Sequence, residues 1–202
     1  MVAILAQPWV VTTQSATAHI TPVSGFDVLG PSHKPTPATV SSQSRITSDK
    51  RIALSGISLG EDEEVPCSLS LSFQDLPGQP NINASLPLTT TLSGSETCRP
   101  AAASTRTAAF TAPHFVRGIS VCTSGTIPQV RGIRIDAATV NKDGTVSKAA
   151  EPSKTVTLGG CDSWQPARNC PTDHIAVGVR AYFTAAGGFT GLALQCKALD
   201  AR

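Results

Sequence analysis

The chain has 202 residues, enough for one domain with a sizeable buried core. Charged residues are 15%, aromatics 4% and the formal net charge is +2, which excludes the clustered basic footprint and the stacking platforms of nucleic-acid binding. Disorder needs high charge and poor hydrophobicity, and this chain has neither; small polar residues suited to short strands and turns fill much of it instead.

Residues 1–44 are the least regular part and read as an N-terminal arm. Val2-Ala3-Ile4-Leu5-Ala6 is too short for a signal-peptide core and lacks a basic flank. Trp9-Val10-Val11 is a candidate strand. Pro31-Ser32-His33-Lys34-Pro35-Thr36-Pro37 reads as an exposed linker, because proline fixes φ and removes donors. No run approaches the roughly 20 apolar residues of a membrane helix.

From residue 45 onward the pattern becomes regular. Ile52-Ala53-Leu54-Ser55-Gly56-Ile57-Ser58-Leu59 leads through an acidic turn into Cys67-Ser68-Leu69-Ser70-Leu71-Ser72-Phe73. Phe115-Val116-Arg117-Gly118-Ile119-Ser120-Val121 leads into Val130-Arg131-Gly132-Ile133-Arg134-Ile135. Ile175-Ala176-Val177-Gly178-Val179-Arg180-Ala181 leads into Phe189-Thr190-Gly191-Leu192-Ala193-Leu194. Gly118 follows Gly56 by 62 residues and Gly178 follows Gly118 by 60. A near-constant period of this size means one supersecondary unit used repeatedly. Alternation of apolar and polar residues predicts antiparallel strands with one wet face. Asn141-Lys142-Asp143-Gly144-Thr145 predicts a hairpin turn.

The repeat extends further. Thr91-Leu92-Ser93-Gly94 before Cys98 matches Thr157-Leu158-Gly159-Gly160 before Cys161, so each unit has roughly four strands. The third unit lacks its later strands, and the N-terminal segment is available to supply them. The expected architecture is all-β, with antiparallel strands in three pseudo-equivalent four-stranded units. A β-sandwich is the runner-up. The division expected is 1–44 as an arm completing the third unit and 45–202 as the repeat-built domain.

Six cysteines are an even set without C-x-x-C spacing, so disulfides and an oxidising compartment are expected. Pairings that close a loop within one unit join Cys67 with Cys98, Cys122 with Cys161 and Cys170 with Cys196.

Three glycine-marked four-stranded units with cystines resemble the β-prism proteins, in particular the family of vitelline membrane outer layer protein I. The resemblance is carried mainly by Cys170-Pro171 through Ile175-Ala176-Val177-Gly178-Val179 to Gly188-Phe189-Thr190-Gly191-Leu192-Ala193-Leu194-Gln195-Cys196. Phe115 to Asp136 is a second, weaker stretch. The family usually places acidic residues and an Asn where Gly188, Phe189 and Thr190 stand here, so no ligand or catalytic residue is carried over. The resemblance implies a β-prism and an extracellular coat or matrix role with affinity for sugars.

The residues themselves offer few reactive motifs. Glu61-Asp62-Glu63-Glu64 reads as a solvated hairpin tip, because no calcium-loop pattern surrounds it. His114 and His174 each stand four residues before a lead glycine, and equal places in two repeats imply a structural role. No nucleophile elbow, phosphate loop or zincin motif occurs. Asn83-Ala84-Ser85 is an N-glycosylation sequon. The residues singled out for ligand binding are Trp164 with Asp162 and Gln165, and Tyr182 as a second platform. A flat apolar ring beside hydrogen-bonding groups is what a sugar site needs.

The function expected is a non-catalytic, secreted β-protein acting through its surface, binding glycans or glycoproteins or building a coat. The alternatives are a structural particle component with self-assembly partners, and a glycan-active enzyme. No cofactor, metal, nucleic acid or membrane span is expected.

Overall fold

A computed structural model describes residues 27–29, 40–43, 52–77, 88–93, 97–124, 129–147, 151–183 and 187–199. The expectations placed on Val2–Ala6, Trp9–Val11, Pro31–Pro37 and the sequon at Asn83 lie outside those residues. Among the described residues there is no α-helix; Ala102–Ser104 forms one 3-10 turn. No helix there is long and apolar enough to cross a membrane.

The strands are β1 (Asp27–Leu29), β2 (Val40–Gln43), β3 (Ile52–Asp62), β4 (Val65–Asp75), β5 (Leu88–Ser93), β6 (Thr105–Ala109) and β7 (His114–Thr123). They continue with β8 (Val130–Thr139), β9 (Ser153–Thr157), β10 (Ser163–Trp164), β11 (Arg168–Asn169), β12 (His174–Phe183) and β13 (Phe189–Ala198). Three antiparallel sheets result. The first has the order β5-β4-β3-β6. The second has the order β10-β7-β8-β9, with β11 also on β7. The third has the order β1-β13-β12-β2.

Each sheet is built on one long hairpin with a shorter strand on either flank. In the first two sheets the flanking strands follow the hairpin in the chain. In the third they precede it, because β1 pairs β13 and β2 pairs β12. Edges of neighbouring sheets meet: β6 contacts β9, β1 contacts β11 and β2 contacts β5. The sheets therefore close around a common axis and leave little free edge for unwanted pairing.

One local irregularity occurs at the same place in all three hairpins. The ladder slips between Leu54 and Gly56, between Val116 and Gly118, and between Ala176 and Gly178. Each slip inserts one extra residue just before the lead glycine, which is the definition of a β-bulge. The bulge explains an oddity of the pattern. Leu54 and Ile57 are three apart, so strict alternation would put them on opposite faces, yet both lie in the main core. Val116 with Ile119 and Ala176 with Val179 behave identically.

The main core is consequently layered. One layer holds Leu59, Leu69, Val121, Ile133, Ala181 and Leu192. The next holds Ile57, Leu71, Ile119, Ile135, Val179 and Leu194, and the third holds Leu54, Phe73, Val116, Ala137, Ala176 and Cys196. Every unit gives each layer one residue from either hairpin strand, in directly opposed pairs. Each fully buried large side chain is worth about 1.5–3 kcal/mol in transfer free energy. Past the bulges, Ala53, Phe115 and Ile175, again one per unit, join a smaller apolar cluster.

The six cysteines form Cys67–Cys98, Cys122–Cys161 and Cys170–Cys196, one bond in each unit. One part of the repeat needs correction. The sequence match aligned Leu92 with Leu158. In the sheets Leu92 lies opposite Leu69, while Val156 lies opposite Ile133, the counterpart of Leu69. The match is two residues out of register.

Candidate functional site

With the apolar positions turned inward, each sheet offers one outer face, and the three faces are furnished differently. On the first sheet the outward positions are Gly56, Ser58 and Gly60 of β3, and Ser68, Ser70 and Ser72 of β4. Ser70 meets Thr91 across one side, oxygen to oxygen at 2.8 Å, and Ser58 meets Thr107 across the other at 2.7 Å. Ser58 and Ser70 are direct partners, so Thr91, Ser70, Ser58 and Thr107 form one row across four strands. The outward positions described on β3 and β4 of this face carry hydroxyls and no charge.

The second sheet differs. Its outward positions include Gly118, Ser120 and Cys122 of β7, and Gly132, Arg134 and Asp136 of β8. Trp164 pairs with Cys122, Ser120 with Arg134, and Gly118 with both Asp136 and Asn169. Trp164 is 40% exposed, unusual for a large apolar side chain among the described residues. The Arg134 guanidinium lies 5.9 Å from the indole centroid, within cation–π reach. Arg134 Nε stands 3.8 Å from Asp136 Oδ1, which also accepts the Ser153 hydroxyl at 2.6 Å.

Gly118 makes this cluster possible. A Cβ there would lie 2.0 Å from Asn169 Oδ1 and 3.1 Å from Asp136 Oδ2. The amide and the carboxylate thus lean over the glycine from both sides, in space that any other residue would fill. The result is a strip running from Asn169 and Asp136 through Arg134 to Trp164, with hydrogen-bond donors, acceptors and one exposed ring.

The strip is held firmly. Gln165 N–H donates to Val121 O at 2.9 Å and Asp162 N–H to Thr123 O at 3.2 Å. The Ser120 hydroxyl donates to the Gln165 carbonyl, and the Cys122–Cys161 bond ties the segment down from below. Such anchoring lowers the ordering cost of binding.

Of the residues singled out from sequence, Trp164, Asp162 and Gln165 lie together on this segment. Tyr182 does not join them. It lies on β12 of the third sheet and is only 5% exposed, so its ring offers no free platform. Alternation turns Ala181 and Phe183 into the core and Tyr182 to the other side, where it is nevertheless buried. Sequence reading missed Arg134, Asp136, Ser153 and Asn169. The alternation Ile133-Arg134-Ile135-Asp136 does place the first two on a wet face. Ser153 and Asn169 come from short flanking strands, and only strand pairing brings them in.

The other candidates have structural duties. Glu61 pairs with Arg131 of the neighbouring unit at 3.3 Å, and Asp62 accepts the Arg99 N–H at 2.8 Å. Glu63 and Glu64 take positive φ values of 47° and 65°, as a tight hairpin tip requires. The His114 ring Nδ1 lies 3.0 Å from Thr139 Oγ1 and the His174 ring Nδ1 lies 2.8 Å from the Thr172 carbonyl oxygen, so both rings make local contacts where their strands open.

Three closed antiparallel sheets of this kind make a β-prism. The chain is similar to the Calsepa lectin solved with a biantennary N-glycan, with a TM-score of 0.51 and 12% identity over 86% of this chain and 98% of that one. It is also similar to Calystegia sepium agglutinin, with a TM-score of 0.50 and 10% identity over 86% of this chain and 98% of that one. The Calsepa lectin with a bisected glycan gives 0.50 and 13%, over 86% and 99%. At these identities the likeness is one of fold. No family model and no curated protein sequence matches the chain.

Proposed function

We propose that this protein is a non-catalytic, secreted, glycan-binding β-prism protein, and that its binding face is the outer side of the second sheet. The observation that carries the reading is the anchored strip of Trp164, Arg134, Asp136, Ser153 and Asn169. A sugar ring stacks its C–H face on an indole, while its hydroxyls need paired donors and acceptors close by. Asp162 and Gln165 stand beside the ring and extend the polar rim. The Calsepa lectin of similar fold, solved with a biantennary N-glycan and with a bisected glycan, supports the same reading. Three disulfides suit export to an oxidising compartment. The likeness of Cys170–Cys196 to the vitelline membrane outer layer protein I family supports a coat or matrix setting.

Trp164→Ala tests the proposal. Binding on a broad glycan array is expected to vanish, with the melting temperature almost unchanged, because the exposed ring contributes little to folding. A folded variant that binds as the wild type does, or a wild type that binds no glycan, overturns it.

A second reading, a structural particle component, has one observation in its favour. β1 and β2, drawn from residues 1–44, flank the last hairpin, as an arm completing the third unit would. Such an arm is exchangeable between copies. Concentration-dependent light scattering, abolished by deleting the arm, would favour it.

A further inference from the structure

We infer that the gap over Gly118 seats two adjacent hydroxyls of one neutral sugar residue, one donating to Asp136 and the other to Asn169. This rests on the glycan-binding reading and adds the class of ligand. The first observation is which atoms line the gap. The three atoms nearest the point that a Cβ of Gly118 would take all belong to Asn169 and Asp136, with Asn169 Oδ1 at 2.0 Å and Asp136 Oδ2 at 3.1 Å. At Gly56 the same place in the first sheet is closed by the Ala109 methyl at 2.6 Å and the Ala108 carbonyl at 3.0 Å.

The second observation is that neither tip is spent on the fold. Asp136 uses Oδ1 for the Ser153 hydroxyl at 2.6 Å and for the approach of Arg134 at 3.8 Å. Among the described residues Asp136 Oδ2 accepts no hydrogen bond, and the Asn169 amide, exposed on β11, makes none. Both tips over the glycine are oxygens. A carboxylate and an amide oxygen only accept, so each needs a proton from the ligand. A hydroxyl carries one proton, so two hydroxyls are required, and tips that converge on one point require them on neighbouring carbons. The charges narrow the class further. An anionic group has no proton to give and meets Asp136. A cation meets Arg134, whose guanidinium already offsets that carboxylate. A neutral polyol fits both.

The distances favour an oligosaccharide. Gly118, between Asp136 and Asn169, stands four residues along β7 from Cys122, the partner of Trp164. That is about 13 Å of strand, longer than a single sugar ring. The hydroxyl pair over Gly118 and the ring stacked on Trp164 then belong to different residues of one chain.

The experiment is a glycan array probed across protein concentrations. It carries neutral malto-, cello- and manno-oligosaccharides and a biantennary N-glycan, with hyaluronan and heparin hexasaccharides as acidic probes. Binding is expected among the neutral probes, with the acidic ones no tighter. It should vanish after exhaustive periodate oxidation, which cleaves the bond between carbons bearing adjacent hydroxyls. Asn169→Ala should weaken the neutral probes about fivefold, the worth of one neutral hydrogen bond, with an unchanged melting temperature. Asn169→Asp keeps both acceptors and should stay within about threefold of wild type. Binding that survives periodate, or is undiminished in Asn169→Ala, overturns the hydroxyl seat, while its loss in Trp164→Ala leaves the glycan reading intact. A loss in Asn169→Asp as deep as in Asn169→Ala would make the amide a donor and overturn the two-acceptor seat. Tighter binding of hyaluronan or heparin than of every neutral probe overturns the neutral class. Binding of no glycan overturns both readings.

Discussion

The outer faces of the first and second sheets share one backbone and almost nothing else. Each hairpin slips at a bulge before a lead glycine, and each glycine is flanked by one residue of its hairpin partner and one of a short edge strand. Around Gly56 those neighbours are Ser72 and Ala109; around Gly118 they are Asp136 and Asn169. A hydroxyl and a methyl give a smooth neutral surface. A carboxylate and an amide, extended by Arg134 and Trp164, give a surface that can recognise something. The repeat therefore explains the fold, and the departures from it single out the proposed binding face.

The largest effect expected from this contrast comes from the disulfides. Cys67→Ser with Cys98→Ser, and Cys122→Ser with Cys161→Ser, open loops with sequence separations of 31 and 39. Each should lower stability by roughly 4 kcal/mol in the chain-entropy account, measured by denaturant unfolding. Binding should separate them. Loss of Cys122–Cys161 frees the segment that carries Trp164 and should weaken glycan binding even where the protein stays folded. Loss of Cys67–Cys98 should leave binding intact. The opposite pattern would move the binding face to the first sheet.

The lead glycines give a finer contrast. An alanine methyl at Gly56 would lie 2.6 Å from Ala109 Cβ, 3.0 Å from Ala109 Cα and 3.0 Å from the Ala108 carbonyl. Those are backbone and near-backbone atoms, so strand β6 must move, and Gly56→Ala should cost about 1–3 kcal/mol. At Gly118 the worst clash is with Asn169 Oδ1, the tip of a side chain on a two-residue edge strand. That tip can swing away. Gly118→Ala should destabilise less than Gly56→Ala but lose most glycan affinity, because it displaces Asn169 and crowds Asp136. Equal destabilisation with unchanged binding would mean the cleared space over Gly118 serves packing alone.

Much of the fold was legible because the glycines and the alternation agree. Leu69, Leu71 and Phe73 against Ser68, Ser70 and Ser72 announce a half-buried strand. The bulges were not legible as such. Leu54 and Ile57 break the period of two, and only backbone pairing shows that the extra residue restores the phase. The register of the third strand was misread because Thr-Leu-x-Gly likeness follows turn chemistry, while strand pairing sets Leu92 opposite Leu69 and Val156 opposite Ile133. In the candidate site, contiguity was the limit. Asp162, Trp164 and Gln165 are neighbours between two cysteines and stood out. Arg134, Asp136, Ser153 and Asn169 come from three different strands and converge only after pairing. Tyr182 shows the converse: an outward position in an alternating strand is not always a solvent-exposed one.

The smallest expected effect belongs to a third region, remote from both faces, the turn that links Val140 to Val146. Val140 and Val146 form an isolated bridge in the smaller apolar cluster, at the His114 end of β7, whereas Trp164 lies toward the other end. Asn141 N–H donates to Thr145 O at 2.9 Å, and Gly144 takes a φ of 85°, the left-handed position for which glycine is suited. Asp143 Oδ1 accepts the Thr145 N–H at 2.9 Å and the Thr145 hydroxyl at 2.7 Å. The backbone hydrogen bond first, and the hydroxyl second, hold the Asp143 carboxyl below its ordinary pKa. A depressed folded-state pKa gives a contribution that is fully present above the unfolded-state value and is lost as pH falls through the folded one. Asp143→Asn should therefore lower the melting temperature slightly at neutral pH, and the gap to wild type should close in strong acid. Melting curves of both proteins across that range test this, and a gap that widens in acid would refute the sign. Glycan binding by the variant should match wild type at every pH, because nothing in this turn reaches the strip from Asn169 to Trp164.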